Sequence, residues 1–255
     1  MSPSHGKFVW YELRTPDLKA SEKFYGNVLG WAAKDAGMPA MPYTLFSAGD
    51  QTVAGAVTMP GSVAMPPHWM GFVGVDDVDA AAAKVKSLGG AIHMGPQDIP
   101  GVGRFAIIAD PQGAFLALFK WVPTGNPPKP VAPGTPGHCG WHELYAGDVK
   151  TIFDFYGELF GWTKGDAVDI GPMGIYQLFN QGGVNIGGMM TKPAAMPTPA
   201  WLYYFNVDGI EAAAARVKAS GGTICHGPMQ VPGDDWIAQI ADPQGAMAAL
   251  TSRKK

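Results

Sequence analysis

Phe24-Tyr25-Gly26 and Gly30-Trp31 return 131 residues later as Phe155-Tyr156-Gly157 and Gly161-Trp162, in the same order. The hexapeptide Ala109-Asp110-Pro111-Gln112-Gly113-Ala114 returns at an offset of 132, as residues 241–246. A repeat of this length with matched order is typical of a duplicated fold. We therefore expect two copies of one domain, with one residue gained in a loop between the early and the late motifs.

Length and proline content predict where the two copies begin and end. The chain has 255 residues, which suits two domains of about 120 residues. Residues 123–137 contain six prolines and three glycines, and such a segment cannot continue a helix or a central strand. We expect one domain at 1–122, a linker at 123–137 and a second domain at 138–255.

Each half is divided again by a proline-rich break, at 60–67 and at 193–199. The breaks give four modules, at 7–60, 67–121, 138–191 and 200–252. Asp17 and Asp77 are placed to cap helices that Gly30 and Gly89 end, and Asp110 begins a type I turn between two strands. Each module is predicted to run in the order strand, helix, then three strands.

The modules resemble the vicinal oxygen chelate superfamily. The resemblance is carried by Phe-Tyr-Gly-x-x-x-Gly-Trp, by Val75-Asp76-Asp77 and Val207-Asp208-Gly209, and by Asp-Pro-x-Gly near each domain's end. The superfamily holds glyoxalase I, bleomycin-resistance proteins, fosfomycin-resistance enzymes and extradiol dioxygenases. Trp-x-Glu-Leu in both halves is similar to a subgroup of two-domain glyoxalase-like hydroxylases that includes a mycobacterial culture-filtrate antigen. The resemblance implies an α+β fold in which four βαβββ modules pair into two half-open barrels, each around a small-molecule cavity.

The resemblance also implies where a divalent metal ion is held, on His, Gln or Glu side chains that face the cavity. Counting from the local motifs places three ligand positions in each half, and a fourth within 54–57 and 184–187. None of the six counted residues is a plausible ligand, and the two stretches contain no His, Glu or Asp, although Asn185 lies in the second. We therefore expect neither the usual metal site nor a cofactor. A shifted divalent metal site using nearby histidines stays open as an alternative. The six positions are Trp10, Met70, Ala117, Trp141, Leu202 and Ala249, and the histidines are His68, His93, His138, His142 and His226.

Strand alternation groups three side chains on one face of the first strand, and the resemblance implies that this face lines the cavity. Trp10, Glu12 and Arg14 share one face of the first strand, and their repeat equivalents are Trp141, Glu143 and Tyr145. A carboxylate among aromatic side chains is costly unless it is paired or protonated. Glu12 and Glu143 are therefore our candidate catalytic residues, as proton acceptors or hydrogen-bond partners of a ligand. The structural alternative makes each glutamate a bridge to a backbone amide or to a neighbour such as Arg14.

The remaining candidate ligand-binding residues are apolar or aromatic, with tyrosine hydroxyls at the expected mouth. Such a lining suits a planar or apolar small molecule, although the same side chains would also serve as ordinary core. These candidates are Tyr43, Met70, Phe72, Phe115, Phe119, Tyr176, Leu202, Tyr204 and Met247.

We therefore expect a metal-independent protein that binds a hydrophobic or aromatic small molecule, as a monomer or a homodimer. The alternative is a lyase, isomerase or oxygenase that acts on a carbonyl compound through a cavity glutamate or a shifted metal. The net charge of −3 gives no indication that the protein binds nucleic acid or an anionic membrane. With no apolar span, no signal peptide and only Cys139 and Cys225, a cytoplasmic location is expected.

Overall fold

The computed structural model describes residues 2–38, 41–59, 65–122 and 131–255. The part of the predicted linker at 123–130, and residues 60–64 of the first break, lie outside the described residues. The predicted order of strand, helix and three strands is found in all four modules. The elements are β1 (Phe8–Thr15), α1 (Leu18–Leu29), β2 (Ala32–Asp35), β3 (Tyr43–Ala48), β4 (Gln51–Thr58), β5 (His68–Gly74), α2 (Val78–Ser87), β6 (Ala91–Ile99), β7 (Gly103–Ala109), β8 (Phe115–Trp121), β9 (Cys139–Ala146), α3 (Val149–Phe160), β10 (Thr163–Asp169), β11 (Ile175–Gln181), β12 (Val184–Thr191), β13 (Ala200–Asn206), α4 (Ile210–Ala219), β14 (Thr223–Gln230), β15 (Trp236–Ala241) and β16 (Met247–Ser252).

The first helix of each half begins and ends as its sequence predicts. Asp17 accepts a hydrogen bond from the Ala20 amide at the start of α1, and Asp148 accepts one from the Lys150 amide at the start of α3. Such caps satisfy amides that have no partner inside the helix. Gly30 and Gly161 end the two helices in the left-handed conformation, with φ of 72° and 74°, which glycine adopts without strain.

The strands form two eight-stranded sheets, and the predicted α+β class is confirmed. The strand orders are β2-β3-β4-β1-β5-β8-β7-β6 and β10-β11-β12-β9-β13-β16-β15-β14. The two sheets therefore repeat one topology. Within each module the first and last strands are parallel, as β1 with β4 and β5 with β8 show.

Side chains alternate across β1 and define two faces. Leu13 and Thr15 are fully buried, and the Thr15 hydroxyl lies 2.9 Å from that of Ser21 on α1. Glu12 and Arg14 therefore point to the face away from the helix, as predicted. We call this face, on β1 and on the equivalent strands, the open face.

The chain divides into two compact units, and each draws on both halves of the sequence. The first unit comprises the described residues of Met1–Val9, Met70–Pro127 and His142–Trp201; the second comprises those of Trp10–Trp69, Pro128–Trp141 and Leu202–Lys255. The first unit has a core of Tyr156, Trp162, Phe179 and Trp201. The second has a core of Tyr25, Trp31, Phe46, Trp69 and Phe205. The domain boundaries inferred from the repeat remain a prediction.

The repeat offset differs in detail from the expectation of a single added residue. β4 spans Gln51–Thr58 and β12 spans Val184–Thr191, so these equivalent strands are 133 residues apart. Two residues are therefore gained before β11, where a short 3-10 turn occupies Gly171–Met173, and one is lost afterwards. The equivalent of residues 54–57 is consequently 187–190, and not 184–187 as the sequence count gave.

Among the described residues, none of the helices has the length and apolar character needed to cross a membrane.

Candidate functional site

Glu12 is the centre of a hydrogen-bonded chain on the open face of the first sheet. Trp10 Nε1 donates to Tyr43 Oη over 2.9 Å, and Tyr43 Oη donates to Glu12 Oε2 over 3.2 Å. Arg14 donates to the other carboxylate oxygen, Glu12 Oε1, from Nε and Nη2, each over 3.2 Å. Four side chains predicted from sequence as site residues are therefore brought together. We call Trp10, Glu12, Arg14 and Tyr43 the Glu12 cluster.

Burial and charge act in opposite directions on Glu12. The residue is 9% exposed, and burial raises the pKa of its carboxyl above the ordinary value, while the Arg14 charge and the Tyr43 hydroxyl act to lower that pKa. The net direction is upward. Burial, followed by the Glu12 charge, raises the pKa of Tyr43 strongly. The phenol is thus a proton donor, and Glu12 is a carboxyl that takes up a proton more readily than one in water.

A glycine beside Glu12 makes room for the tyrosine ring. Gly55 on β4 pairs with Glu12 on β1. A Cβ atom at Gly55 would overlap the ring and hydroxyl of Tyr43. Only glycine therefore allows the Tyr43 ring to lie over this strand and reach the carboxylate.

The second half repeats the arrangement around Glu143. Tyr176 Oη donates to Glu143 Oε2 over 3.0 Å. Gly188 pairs with Glu143, and a Cβ atom at Gly188 would overlap the Tyr176 ring. The position of Arg14 is taken by Tyr145, a side chain without positive charge. The Glu–Tyr–Gly arrangement is therefore common to both halves, whereas the ion pair at 3.2 Å between Arg14 and Glu12 belongs to the first.

Gly55 and Gly188 were not predicted as site residues from the sequence. A glycine inside a strand usually marks a close approach of another group, and both glycines lie in strands opposite a predicted site glutamate. That signal was available in the sequence. The register that pairs each glycine with its glutamate was not.

The residues at the family's metal positions do not fit a divalent metal ion. Met70, Leu202, Ala117 and Ala249 are buried hydrocarbon or thioether side chains. The fourth position, within 54–57 and 187–190, carries no His, Asp or Glu. No group of three or more His, Cys, Asp or Glu side chains in the described parts of the chain is placed to hold a metal. Oxygen and imidazole donors, which such ions require, are thus missing from these positions.

The histidines of the alternative metal site are dispersed in different surroundings. The His142 ring stacks on Phe8 with a centroid distance of 3.8 Å, and Nδ1 lies 2.6 Å from the Ile186 carbonyl oxygen. Burial lowers the pKa of His142 to about 4. His93 packs on Phe115 at 4.5 Å, and His68 Nδ1 lies 2.9 Å from the Pro66 carbonyl oxygen. His142, His93 and His68 thus each contact a ring or a backbone carbonyl of their own surroundings.

The apolar candidates occupy the interior strands of the sheets. Phe72 and Phe119 contact each other edge to face at 5.9 Å and are 3% exposed. Tyr204 accepts a hydrogen bond from Gln239 Nε2 over 3.3 Å, and Met247 Sδ lies 3.9 Å from Cys225 Sγ. Gln239 was not predicted from the sequence. Met247 is 41% exposed, so the second half has an accessible apolar side chain at this end.

Two surface depressions are formed by other residues. One of about 360 Å³ lies beside the start of α3 and includes Lys150, Phe153 and Lys164. The other, of about 280 Å³, lies between α1 and the end of α4 and includes Phe24 and Ser220. Neither is lined by a predicted site residue. They do not carry the site.

Comparison with known proteins agrees with this architecture. The family model described as the Glyoxalase/Bleomycin resistance protein/Dioxygenase superfamily matches residues 7–118 and 135–250. The chain is 32% identical over 245 residues to CFP32 of Mycobacterium tuberculosis, which carries a glyoxylase name, covering 94% of this chain and 92% of that protein. It is 30% identical over 257 residues to the anthracycline biosynthesis protein DnrV of Streptomyces peucetius, covering 94% and 91%.

Solved structures share the fold at low sequence identity. The Mn(II)-bound glyoxalase from Novosphingobium aromaticivorans has a TM-score of 0.69 and 18% identity, covering 99% of this chain and 83% of that chain. The 2,2',3-trihydroxybiphenyl 1,2-dioxygenase from Sphingomonas wittichii strain RW1 has a TM-score of 0.69 and 14% identity, covering 98% and 91%. Since both repeats match the family model and the βαβββ order recurs in all four modules, the chain belongs to the glyoxalase/bleomycin resistance protein/dioxygenase superfamily.

Proposed function

We propose that this protein binds a hydrophobic or aromatic small molecule on the open faces of its sheets without using a metal ion. The observation that carries the proposal is the fourth ligand position of the family. There the chain has Gly55 and Gly188, and a tyrosine ring packs over each glycine. A phenol hydrogen-bonded to a glutamate thus lies at the stretch where the resemblance to the family implies a metal ligand.

The character of the nearby side chains supports an aromatic ligand. Trp10 and Tyr43 of the Glu12 cluster are candidates for stacking against a planar ring, and such rings prefer offset or edge-to-face contact. The Glu12 carboxylate and the Tyr43 hydroxyl add two hydrogen-bonding groups, which fix the orientation of a bound molecule. A relative named for anthracycline biosynthesis is consistent with a polycyclic aromatic ligand.

Native mass spectrometry of the full-length protein as purified tests this proposal. We expect the mass of the apoprotein, with or without a retained organic molecule, and much less than one transition-metal ion per chain. Elemental analysis after dialysis provides the stoichiometry. One firmly held Zn, Ni, Fe or Mn ion per chain would contradict metal independence.

A second candidate function is an acid–base enzyme acting on a carbonyl compound. The observation that favours it is a buried Glu12 with a raised pKa beside a phenol, since a carboxyl that binds a proton more readily can act as an acid or a base in proton transfer. This candidate requires turnover that persists in the presence of a chelator and is lost in Glu12→Gln or Glu143→Gln. Ligand binding without turnover favours the first candidate.

A further inference from the structure

A row of three residues crosses adjacent strands in the second sheet. Tyr204 on β13 pairs with Ala249 on β16, and Ala249 pairs with Gln239 on β15. In the first sheet, Phe72 pairs with Ala117, and Ala117 pairs with Ile107. The central alanine is the same in both rows. Its neighbours are hydrocarbon in the first sheet and hydrogen-bonding in the second.

In the second sheet, the row of Tyr204, Ala249 and Gln239 is hydrogen-bonded and partly accessible to solvent. Gln239 Nε2 donates to Tyr204 Oη over 3.3 Å. Tyr204 is 2% exposed, whereas Gln239 is half-buried. A ligand on this face can therefore reach the half-buried glutamine side chain.

The equivalent positions of the first sheet show which side chains the fold accepts there. Phe72 and Ile107 are 3% and 4% exposed, so hydrocarbon side chains pack well at these two positions. The fold therefore does not need a tyrosine and a glutamine there. Placing polar groups inside a sheet costs free energy unless hydrogen bonds offset it. The hydrogen bond between Gln239 and Tyr204 offsets this cost, so the fold accepts the polar pair without requiring it.

In the neighbouring row of the second sheet, a polar side chain again replaces an apolar side chain of the first sheet. Phe105 pairs with Phe119 in the first sheet, where the equivalent pair of the second sheet is Ile237 with Thr251. A half-buried hydroxyl thus stands where the first sheet has a phenyl ring. Three positions on β13, β15 and β16 exchange apolar groups for hydrogen-bonding ones.

These groups lie on the open face. Phe205 follows Tyr204 on β13 and packs on Trp31 and Trp69, at 5.2 Å from each ring. Since successive strand residues point to opposite faces, Tyr204 points away from this aromatic core. Gln239 lies between Ala238 and Ile240, which are 0% and 1% exposed, and it also points to the open face.

We propose that Tyr204, Gln239 and Thr251 form a polar recognition site for an aromatic molecule that carries a hydroxyl or carbonyl group. The equivalent row of the first sheet, Phe72, Ala117 and Ile107, contacts unsubstituted aromatic surface. The phenol and the amide can each donate and accept, so they satisfy a ligand hydroxyl or a ligand carbonyl. The two halves thereby differ in ligand preference. This inference rests on the proposed function, because it requires a small molecule at the open face.

The test compares two probes of one shape, naphthalene and 2-naphthol, by calorimetric or fluorescence titration of the full-length protein. The double variant Tyr204→Phe/Gln239→Ile copies the row that packs well in the first sheet. We expect it to weaken the binding of 2-naphthol about tenfold, the effect of about one hydrogen bond. Naphthalene should bind the variant as it binds the wild type. Gln239→Leu, at a half-buried position, provides the same comparison if the double variant does not fold.

Each outcome decides one of the two proposals. An unchanged affinity for 2-naphthol, or an equal loss for both probes, would overturn the polar recognition site and leave small-molecule binding intact. Failure of the wild type to bind either probe would instead count against the proposed function, and the recognition site would fall with it.

Discussion

Tyr25, in the Phe-Tyr-Gly motif of the first half, donates a hydrogen bond to Asp242 in the Asp-Pro-Gln-Gly motif of the second, over 3.2 Å. The reciprocal pair, Tyr156 with Asp110, has a distance of 2.8 Å. Both tyrosine hydroxyls also accept a hydrogen bond from a tryptophan, Trp69 or Trp201. The two motifs that reveal the repeat in the sequence therefore bind each other crosswise between its halves.

These buried pairs should contribute measurably to stability. Tyr25→Phe leaves the Asp242 carboxylate and the Trp69 indole each short of one partner, so we expect the free energy of unfolding to fall by about 1–3 kcal/mol. Denaturant unfolding of Tyr25→Phe, Asp242→Asn and the double variant measures the coupling of the two residues. Strictly additive losses would show that the hydrogen bond is not a stabilising contact.

His142 should make stability depend on pH in a defined direction. Burial lowers its pKa from 6.5 to about 4 in the folded protein. The neutral ring is favoured on folding, so this contribution is fully present above about pH 6.5 and is lost as the pH falls towards 4. Between pH 7 and pH 5 the loss is about 2 kcal/mol.

The variant His142→Phe retains a ring to stack on Phe8 and removes the titrating group. Unfolding of wild type and variant at both pH values isolates the effect. The wild type should lose about 2 kcal/mol more than the variant. Parallel losses in the two proteins would mean that His142 takes up a proton in the folded state.

Glu12 should make stability depend on pH in the direction opposite to that of His142. Burial raises its pKa in the folded protein above the unfolded value, so the folded state binds the proton more readily. Its contribution to stability is present at low pH and is lost as the pH rises through the folded pKa. Relative to Glu12→Gln, the wild type should therefore gain stability when the pH is lowered from 7 to 5. A gain at higher pH instead would indicate that Arg14 outweighs burial.

The glycines beside the two glutamates should not tolerate a methyl group. Gly55→Ala forces the Tyr43 ring away from Glu12, and we expect a loss of about 1–3 kcal/mol in unfolding free energy, as for other overpacked sites. Gly95→Ala is the matched control, because a Cβ atom at Gly95 in β6 meets no heavy atom within 4 Å. Equal stability of the two variants would contradict the close approach of Tyr43.

Local patterns in the sequence predicted the modules because each module is built from short-range signals. Asp17, Asp77 and Gly30 are the helix caps and the stop that the sequence indicated. Strand alternation placed Trp10, Glu12 and Arg14 on one face, and these residues form one hydrogen-bonded chain with Tyr43. Such features depend on spacing of a few residues, which a single sequence displays.

Long-range pairing could not be predicted in the same way. Asp110 was expected only as the first residue of a turn, and the Gly113 amide does bond to its carbonyl over 3.0 Å. Its partner Tyr156 lies 46 residues away and in the other half. The equivalence of Gly188 with Gly55 depends on an insertion of two residues before β11 and not of one. No local pattern specifies such pairings.

The measurement that tests metal independence most directly is titration of an aromatic probe, 2-naphthol, into the full-length protein by calorimetry. One sample is treated with EDTA and dialysed, and a second is then supplied with Mn(II). Because the side chains of Trp10, Met70 and Ala117 offer no oxygen or imidazole ligand to a cation and Gly55 has no side chain, we expect equal affinity and stoichiometry in both samples. Probe binding that is lost with EDTA and restored by Mn(II) would contradict it.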